Sequence, residues 1–587
     1  MKIFKFRNCL LNSLERTVLR DGKRLDLTPK TFDVLQMLVE RAGELVTKDE
    51  ILGNVWNGSF VEEGNLPVHV AKLRRQLDGD RNNRFIETVH GGGYRFTANV
   101  EVVGDDVWQK QFAGFNRRKT DRQPEPDTFD SIAVLPLSNE TNDVENDYLA
   151  DGLTESLINR LSRTTNLRVM ARDTVFRYKN KNTDAKEVGD TLGVAAVLTG
   201  RVKLVKDNLL IGVELVKVAD GSQLWGKQFD QPFSDIIKIK DSIASTVTEQ
   251  LRSRATRLAA SPQNNAVTKN AESYRLYLKG KYFQETHTEK NLFKAIAYFR
   301  DSILNDSENV HSQVCIIEAY LTLYFFDYIS YDDWEEKTSL FRKSVSELSQ
   351  SVDVLQVIYA KVKMYINWEF DGVEEHIQAA LNINRSCLAA HILFSEFCIL
   401  RGRFDSALDS LEKVVEIDPL STSTYKRIGR LFYHMREYDE AKMYLLDAIE
   451  LNPADYETHF LLGMVLTGKG DHAGALKTFV TSLYLHHNFD TLAMIGYINA
   501  LMGNADEANK VIELLKSKET NALKFSIKLA RIYCALGHKK LAYKHLDLAY
   551  EEHEPDLLFL NTDSKFEPIK HETRFRKLVR NIGLPSM

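Results

Sequence analysis

Cysteine is scarce in this chain. Its 587 residues include five, Cys9, Cys315, Cys387, Cys398 and Cys534, and none falls in a CxxC pair. That argues against a disulfide frame and for buried thiols in a reducing compartment. Long apolar runs are missing too. No stretch reaches the about 18 uncharged apolar residues that a membrane helix needs. The richest run, 193–200, is soon broken by Arg201 and Lys203. The opening segment MKIFKFRNCLLNSLER has neither the apolar core nor the small-residue cleavage site of an export signal. An excess of positive charge is also absent. With a net charge of −5, any nucleic-acid surface has to be local. Catalytic signatures are lacking: there is no GxGxxG, GxxxxGKS/T or GxSxG, and no His/Asp pair at metal spacing. These absences point to a cytoplasmic protein with no membrane partner, no cofactor, no metal and no enzymatic activity. Its length allows about three or four domains.

What is present begins with a compact N-terminal unit. Thr28 and Pro29 suit the cap and first position of a helix, whose apolar face is Phe32, Leu35, Leu38 and Val39 and which Gly43 ends. Thr47 followed by Glu50 reads as a capping box for a second helix, with Ile51, Leu52, Val55 and Trp56 facing the core. A third helix is predicted from Asn65 to Leu77, with Leu66, Val70, Leu73 and Leu77 on one stripe. Its opposite face is expected to carry His69, Lys72 and Arg75, with Arg74 at the edge. Two strands, 85–89 and 94–97, flank His90-Gly91-Gly92-Gly93, whose glycines permit a tight tip and close approach to a backbone. A basic helix beside a positive hairpin fits a DNA major groove and its neighbouring phosphates. A basic helix face by itself is more often only solvated.

Residues 1–98 resemble the winged helix-turn-helix effector domain of the OmpR/PhoB response-regulator family. LTPKTFDVLQMLVERAGELVTKDEIL, VEEGNLPVHVAKLRRQL and RFIETVHGGGYRF carry the likeness. The resemblance implies a recognition helix starting at Asn65 and a wing from His90 to Arg95. His69, Lys72, Arg74 and Arg75 then face DNA, and Thr88 and Tyr94 contact phosphates. Pro67 stands where the family often has Asp. Gly92 stands where many members have a minor-groove Arg, which Arg95 replaces only in part. The loop from Asn57 to Glu63 corresponds to the one that can touch RNA polymerase, which favours activation over repression. A head-to-tail homodimer on direct-repeat half-sites would follow the family.

The middle region alternates strands and helices. Strands are expected at 132–137, 167–170, 195–205, 209–218 and 223–229, with turns at Asp207-Asn208 and Asp220-Gly221. Helices are expected around 149–161, 186–192 and 235–251. This α/β unit resembles a TolB-N-terminal-like domain through LPLSNET, DGLTESLINRLS, LTGRV and LWGKQFD. Asp151, Glu155 and Asp173 read as solvated surface acids, and packing, self-association or ligand sensing as the unit's role.

Internal repetition dominates the rest. Ala407, Ala441 and Ala475 stand 34 apart, Ala508 comes 33 later and Ala542 another 34, and Gly429 and Gly463 share the 34-residue period. That is the tetratricopeptide spacing. Small residues let paired helices cross closely, and each unit buries its apolar face against its neighbours. An earlier unit from Tyr274 to Asn305 fits with a longer inner turn, 327–347 reads as a distorted repeat, and FEPIKHETRFRKLVRNIGL as a closing element.

The chain is thus expected to be multidomain: an α+β winged helix at 1–100, a linker at 101–130, an α/β domain at 131–251, a linker at 252–270, and an all-α tetratricopeptide solenoid at 271–587. The order resembles HilA-type regulators of secretion and virulence genes in enterobacteria, without the transmembrane helix of the CadC and ToxR relatives and without a receiver domain. The reading is a bacterial sequence-specific DNA-binding transcriptional regulator, an activator, whose partners are double-stranded promoter DNA and a protein or small ligand on the repeats. The alternative is a tetratricopeptide scaffold or adaptor whose winged helix makes protein contacts.

Overall fold

The computed structural model describes residues 2–25, 27, 29–55, 65–77, 85–89, 92–104, 129–141, 146–164, 167–181, 183–252, 268–326, 328–348, 352–520 and 524–585. Thr28, Trp56, the 57–63 loop and the wing residues His90 and Gly91 lie outside them, as do most of both expected linkers. The side chains of Asn65, Lys72, Arg75 and Thr88 also lie outside the description.

The N-terminal unit opens with four antiparallel strands: β1 (Ile3–Phe6), β2 (Cys9–Asn12), β3 (Thr17–Arg20) and β4 (Lys23–Arg24). Three helices follow, α1 (Pro29–Glu40), α2 (Lys48–Val55) and α3 (Asn65–Leu77), with β5 (Leu45–Thr47) between the first two. The hairpin of β6 (Ile86–Val89) and β7 (Gly93–Phe96) pairs with β5, and β8 (Glu101–Val103) returns to β1. The capping box forms: Thr47 N donates to Glu50 Oε2 at 2.8 Å and Glu50 N to Thr47 Oγ1 at 3.3 Å. That backbone bond, with Arg41 and the Thr47 hydroxyl, lowers the Glu50 pKa to about 2. Leu66, Val70, Leu73 and Leu77 are fully buried in one core with Phe6, Phe32, Leu38 and Phe96.

The middle unit is a mixed sheet in the order β11 (Arg168–Val169), β9 (Ser131–Val134), β12 (Ala196–Val205), β13 (Asn208–Lys217), β14 (Gln223–Pro232), with β10 (Ser138–Asn139) against β12. Parallel β9–β12 and β9–β11 pairs adjoin a long antiparallel meander. Four helices accompany it: α4 (Asp147–Ser162), the short α5 (Arg172–Phe176), α6 (Ala185–Leu192) and α7 (Ile236–Arg252). Sequence periodicity is too brief over five residues to reveal α5. The apolar core of this sheet continues without a break into the first repeat helices, Ala271–Gln284 and Glu289–Asn305.

Antiparallel helix pairs follow to the C-terminus, with Ala407, Ala441, Ala475, Ala508 and Ala542 all fully buried where paired helices cross. A Cβ on Gly463 would lie about 2.6 Å from the Phe479 ring, the close approach that the glycine allows. Several expectations are revised. Only residues 285–288 separate the first repeat pair, so its inner turn is short. The distorted repeat expected at 327–347 is one long helix, Tyr331–Leu348, whose start is anchored by the fully buried Trp334; a π-helical turn stands beyond it at Val362–Ile366. The array also does not stay quasi-linear, because its C-terminal end curls back. Tyr324 Oη donates to the His553 carbonyl (3.4 Å), Trp368 stacks on His553 at 4.5 Å, and Arg401 Nη1 donates to the Gly583 carbonyl (3.4 Å). Aromatic residues at the contact points make that non-neighbour closure favourable. All five cysteines are buried and free. Among the described residues no helix is long and apolar enough to cross a membrane, and no cluster of acidic, His and Cys side chains could hold a metal.

Candidate nucleic-acid interface

Three elements bring polar groups to one surface of the winged helix. Capped α2 starts with Lys48. Helix α3 presents Arg74, and β7 presents Tyr94 one residue beyond the hairpin tip. Gly93 has φ +145°, and a Cβ there would overlap the Val46 carbonyl and lie 2.8 Å from Thr47 Cα. Glycine at the tip therefore allows close backbone approach, but to the chain's own β5. In the β5–β7 register Thr47 faces Gly93, which sets the α2 start beside the wing. Gly92 is half-buried, its N–H donating to the Val89 carbonyl at 2.9 Å.

Two placements differ from the outer-face expectation. His69 is 1% exposed, its Nδ1 hydrogen-bonded to Thr31 Oγ1 of α1 at 2.8 Å. It stands three after Leu66 and four before Leu73, so it shares the buried stripe rather than the face opposite. Arg74 is 6% exposed. It follows Val70 by four and precedes Leu77 by three, which sets it against β6, where its Nε donates to the Ile86 carbonyl at 3.2 Å. These spacings were the available signal for both. Arg95 is half-buried and pairs with Glu87 across the hairpin at 3.3 Å.

The surface formed by Lys48, Arg74 and Tyr94 meets a protein helix, Tyr438–Leu451 of the repeats. Arg74 Nη1 lies 3.1 Å from Asp447 Oδ2, Tyr94 Oη donates to Glu450 Oε2 at 3.3 Å, and Lys48 Nζ is 2.8 Å from Glu450 Oε1. Burial raises the Asp447 pKa to about 6 in spite of Arg74 alongside. Burial, then Asp447 and Glu450, pushes the Tyr94 phenol well above its ordinary value, so it stays a donor. Lys48, Asp447 and Glu450 were not singled out from the sequence. The acidic partners lie more than 350 positions away along the chain, beyond any local pattern.

Of the acids of the middle unit, Asp173 is exposed as expected, whereas Asp151 and Glu155 are paired rather than solvated. Asp151 is buried and accepts from Lys179 Nζ at 2.8 Å, and Glu155 lies 3.7 Å from Arg172 and 3.4 Å from Lys281 of the first repeat helix. Glu155 thus fastens the sheet unit to the first repeat helix, whose packing against α4 the sequence did not reveal, while Asp151 pairs within the unit. The middle unit also touches later repeats: Arg177 Nη1 donates to the Leu420 carbonyl at 2.6 Å, and Thr174 Oγ1 to Asp418 at 2.7 Å. Within the curled array, a cavity of about 710 Å³ is lined by Tyr365, Glu396, Arg427 and Arg430 among others.

Comparison with known proteins gives three family matches. Residues 22–96 match the transcriptional regulatory protein C-terminal domain, 128–246 the second domain of HilA/YgeH-like transcriptional regulators, and 246–478 the Chs5p-Arf1p-binding proteins. The transcriptional regulator HilA of Salmonella typhimurium is 22% identical over 444 residues, 74% of each chain. A putative adenylate cyclase 3 of Rhizobium meliloti is 33% identical over 29% of this chain and 31% of its own length, so this chain spans about a third of that relative. The regulatory protein PcoR of Escherichia coli is 38% identical over 14% of this chain and 38% of its own. The chain thus combines an OmpR/PhoB-type winged helix, a HilA-like second domain and a helical repeat array.

Proposed function

We propose that this winged-helix regulator of HilA-like composition binds promoter DNA through α3 and the β6–β7 hairpin and activates transcription. The observation that carries the reading is the convergence of Lys48, Arg74 and Tyr94, from three separate elements, on a pair of carboxylates. A surface that gathers two neighbouring anions has the chemistry needed for successive backbone phosphates. Lys72, at the motif position for base contact, and Arg75, Asn65 and Thr88 complete the proposed contact set, with Gly92 and Arg95 at the wing. His69 supports α3 from within through Thr31. The domain divisions we assign are 1–100, 131–251 and 271–587, with linkers between. RNA polymerase contact by the 57–63 loop and a head-to-tail dimer belong to the same proposal, as does a cytoplasmic site of action.

The repeats serve to capture a protein segment or small ligand, and the curled chamber is the natural place for it. Among the described residues neither Lys361 nor Arg430 on its wall has an ion-pair partner, although acidic side chains outnumber basic ones around the chamber. We assign no reaction to the middle unit, where Asp151 and Glu155 are tied up in ion pairs.

A second reading, a scaffold whose winged helix makes protein contacts, has one observation in its favour: the helix-to-repeat contact itself. A mobility-shift titration of the full chain separates the two. Binding to duplex DNA, weakened by Lys72→Ala, supports the regulator; indifference to any duplex at low salt supports the scaffold.

A further inference from the structure

The contact between α3 and helix Tyr438–Leu451 occupies the groups assigned above to DNA phosphates. Arg74 and Tyr94, 6% and 0% exposed, are buried partly by the winged helix itself and partly by this contact, which takes up the Arg74 Nη1 and Tyr94 Oη that a phosphate would need. Asp447 and Glu450 stand three apart on one helix face, and both face the winged helix. We propose that this acidic face is an intramolecular docking surface for the winged helix, and that duplex DNA competes with it for Lys48, Arg74 and Tyr94. The proposal rests on the DNA-binding reading.

Two features make the contact one that can open. First, the winged helix has its own core, Phe4 through Ala98, separate from the cores of the rest. Releasing it therefore breaks no shared hydrophobic layer. Second, the tie itself is electrostatic and incompletely satisfied. Asp447 is 2% exposed, yet its Oδ1 has no hydrogen-bond partner among the described residues. A buried carboxylate with one oxygen unmatched keeps part of its desolvation penalty, so the closed arrangement is not overwhelmingly favoured.

A duplex supplies what the acidic helix supplies, closely spaced single negative charges, but repeated along a groove that also admits α3. Competition then follows from mass action: the apparent affinity for DNA is reduced by the fraction of chains held closed. A partner that pulls on the repeats and displaces helix Tyr438–Leu451 would raise DNA affinity without touching the winged helix.

The test uses the full chain and the double variant Asp447→Asn, Glu450→Gln, which removes both charges with nearly unchanged shape. Binding to a mixed-sequence duplex of about 40 base pairs at low salt is read by fluorescence anisotropy. The double variant is expected to bind at least about tenfold more tightly, and Glu450→Gln alone, at a half-buried position, by an intermediate factor. Hydrogen exchange of α3 amides, measured without DNA, is expected to quicken in the double variant while helix Tyr438–Leu451 keeps its protection. Equal, measurable binding by wild type and variant overturns the competition and leaves the regulator reading standing. No binding by either overturns both. Unchanged exchange in α3 overturns the dock itself.

Discussion

Gly93→Ala is the sharpest perturbation available in the winged helix. Two separate penalties meet at this position. A φ of +145° is a backbone conformation that L residues rarely adopt, worth about 1–3 kcal/mol of strain. The added methyl group would also meet backbone rather than a flexible side-chain end, since it overlaps the Val46 carbonyl and sits 2.8 Å from Thr47 Cα. Moving β5 away from β7 to relieve that overlap costs about 1–3 kcal/mol by analogy with overpacked cores. The sum, about 2–6 kcal/mol, is a large share of the about 5–15 kcal/mol that holds a domain folded. It falls on the strand pairing that sets α2 beside the wing. Hydrogen exchange across β5, β6 and β7 in the full chain, with duplex binding measured alongside, checks this. The expected outcome is lost protection in the hairpin and DNA affinity weakened by more than tenfold, with the repeat helices unaffected. Wild-type protection in β7 together with wild-type DNA affinity would refute the reasoning.

Other consequences can be measured on the same protein. Asp563→Ala removes the acceptor shared by the half-buried Arg531, Nε at 2.9 Å, and the buried Lys565, Nζ at 3.0 Å. It should destabilise the C-terminal end of the array by about 3–5 kcal/mol, seen as earlier unfolding in denaturant; a loss under about 1 kcal/mol would contradict the pairing. Glu554, buried, has its pKa raised to about 7 by burial. Its folded form therefore holds the proton more tightly than the unfolded chain does. Its charging penalty is absent below about pH 4.5, grows as pH rises and is complete above about 7, amounting to about 3 kcal/mol. Glu554→Gln should flatten that decline, and an unchanged pH profile of stability would count against it. Lys72→Ala should weaken specific binding by about 1–3 kcal/mol if its side chain reads a base; an unaltered mobility shift would remove it from the contact set.

Much of the architecture could be read from local patterns. The Thr47–Glu50 box, the bounds of α3 and the buried Ala407 to Ala542 series all follow from spacings of three, four and 34. Each is a short-range rule, so a single sequence suffices. The misplacement of His69 and Arg74 had a different source. Both are polar yet stand at stripe spacing, and each finds a buried acceptor or partner. Long-range pairings were out of reach for a physical reason. Arg74 with Asp447, Tyr324 with His553 and Lys281 with Glu155 depend on how rigid units stack, and charge pairs leave no periodic trace in sequence. The acidic helix that covers Arg74 and Tyr94 was therefore not legible in the sequence.

The central claim is that α3 and its hairpin read duplex DNA. Selection of duplexes from a random pool by the purified full chain tests it most directly. The account predicts enrichment of one short motif, bound with an affinity that falls steeply as salt rises. Recovery of no preferred sequence, together with no retardation of any duplex at low salt, would contradict it.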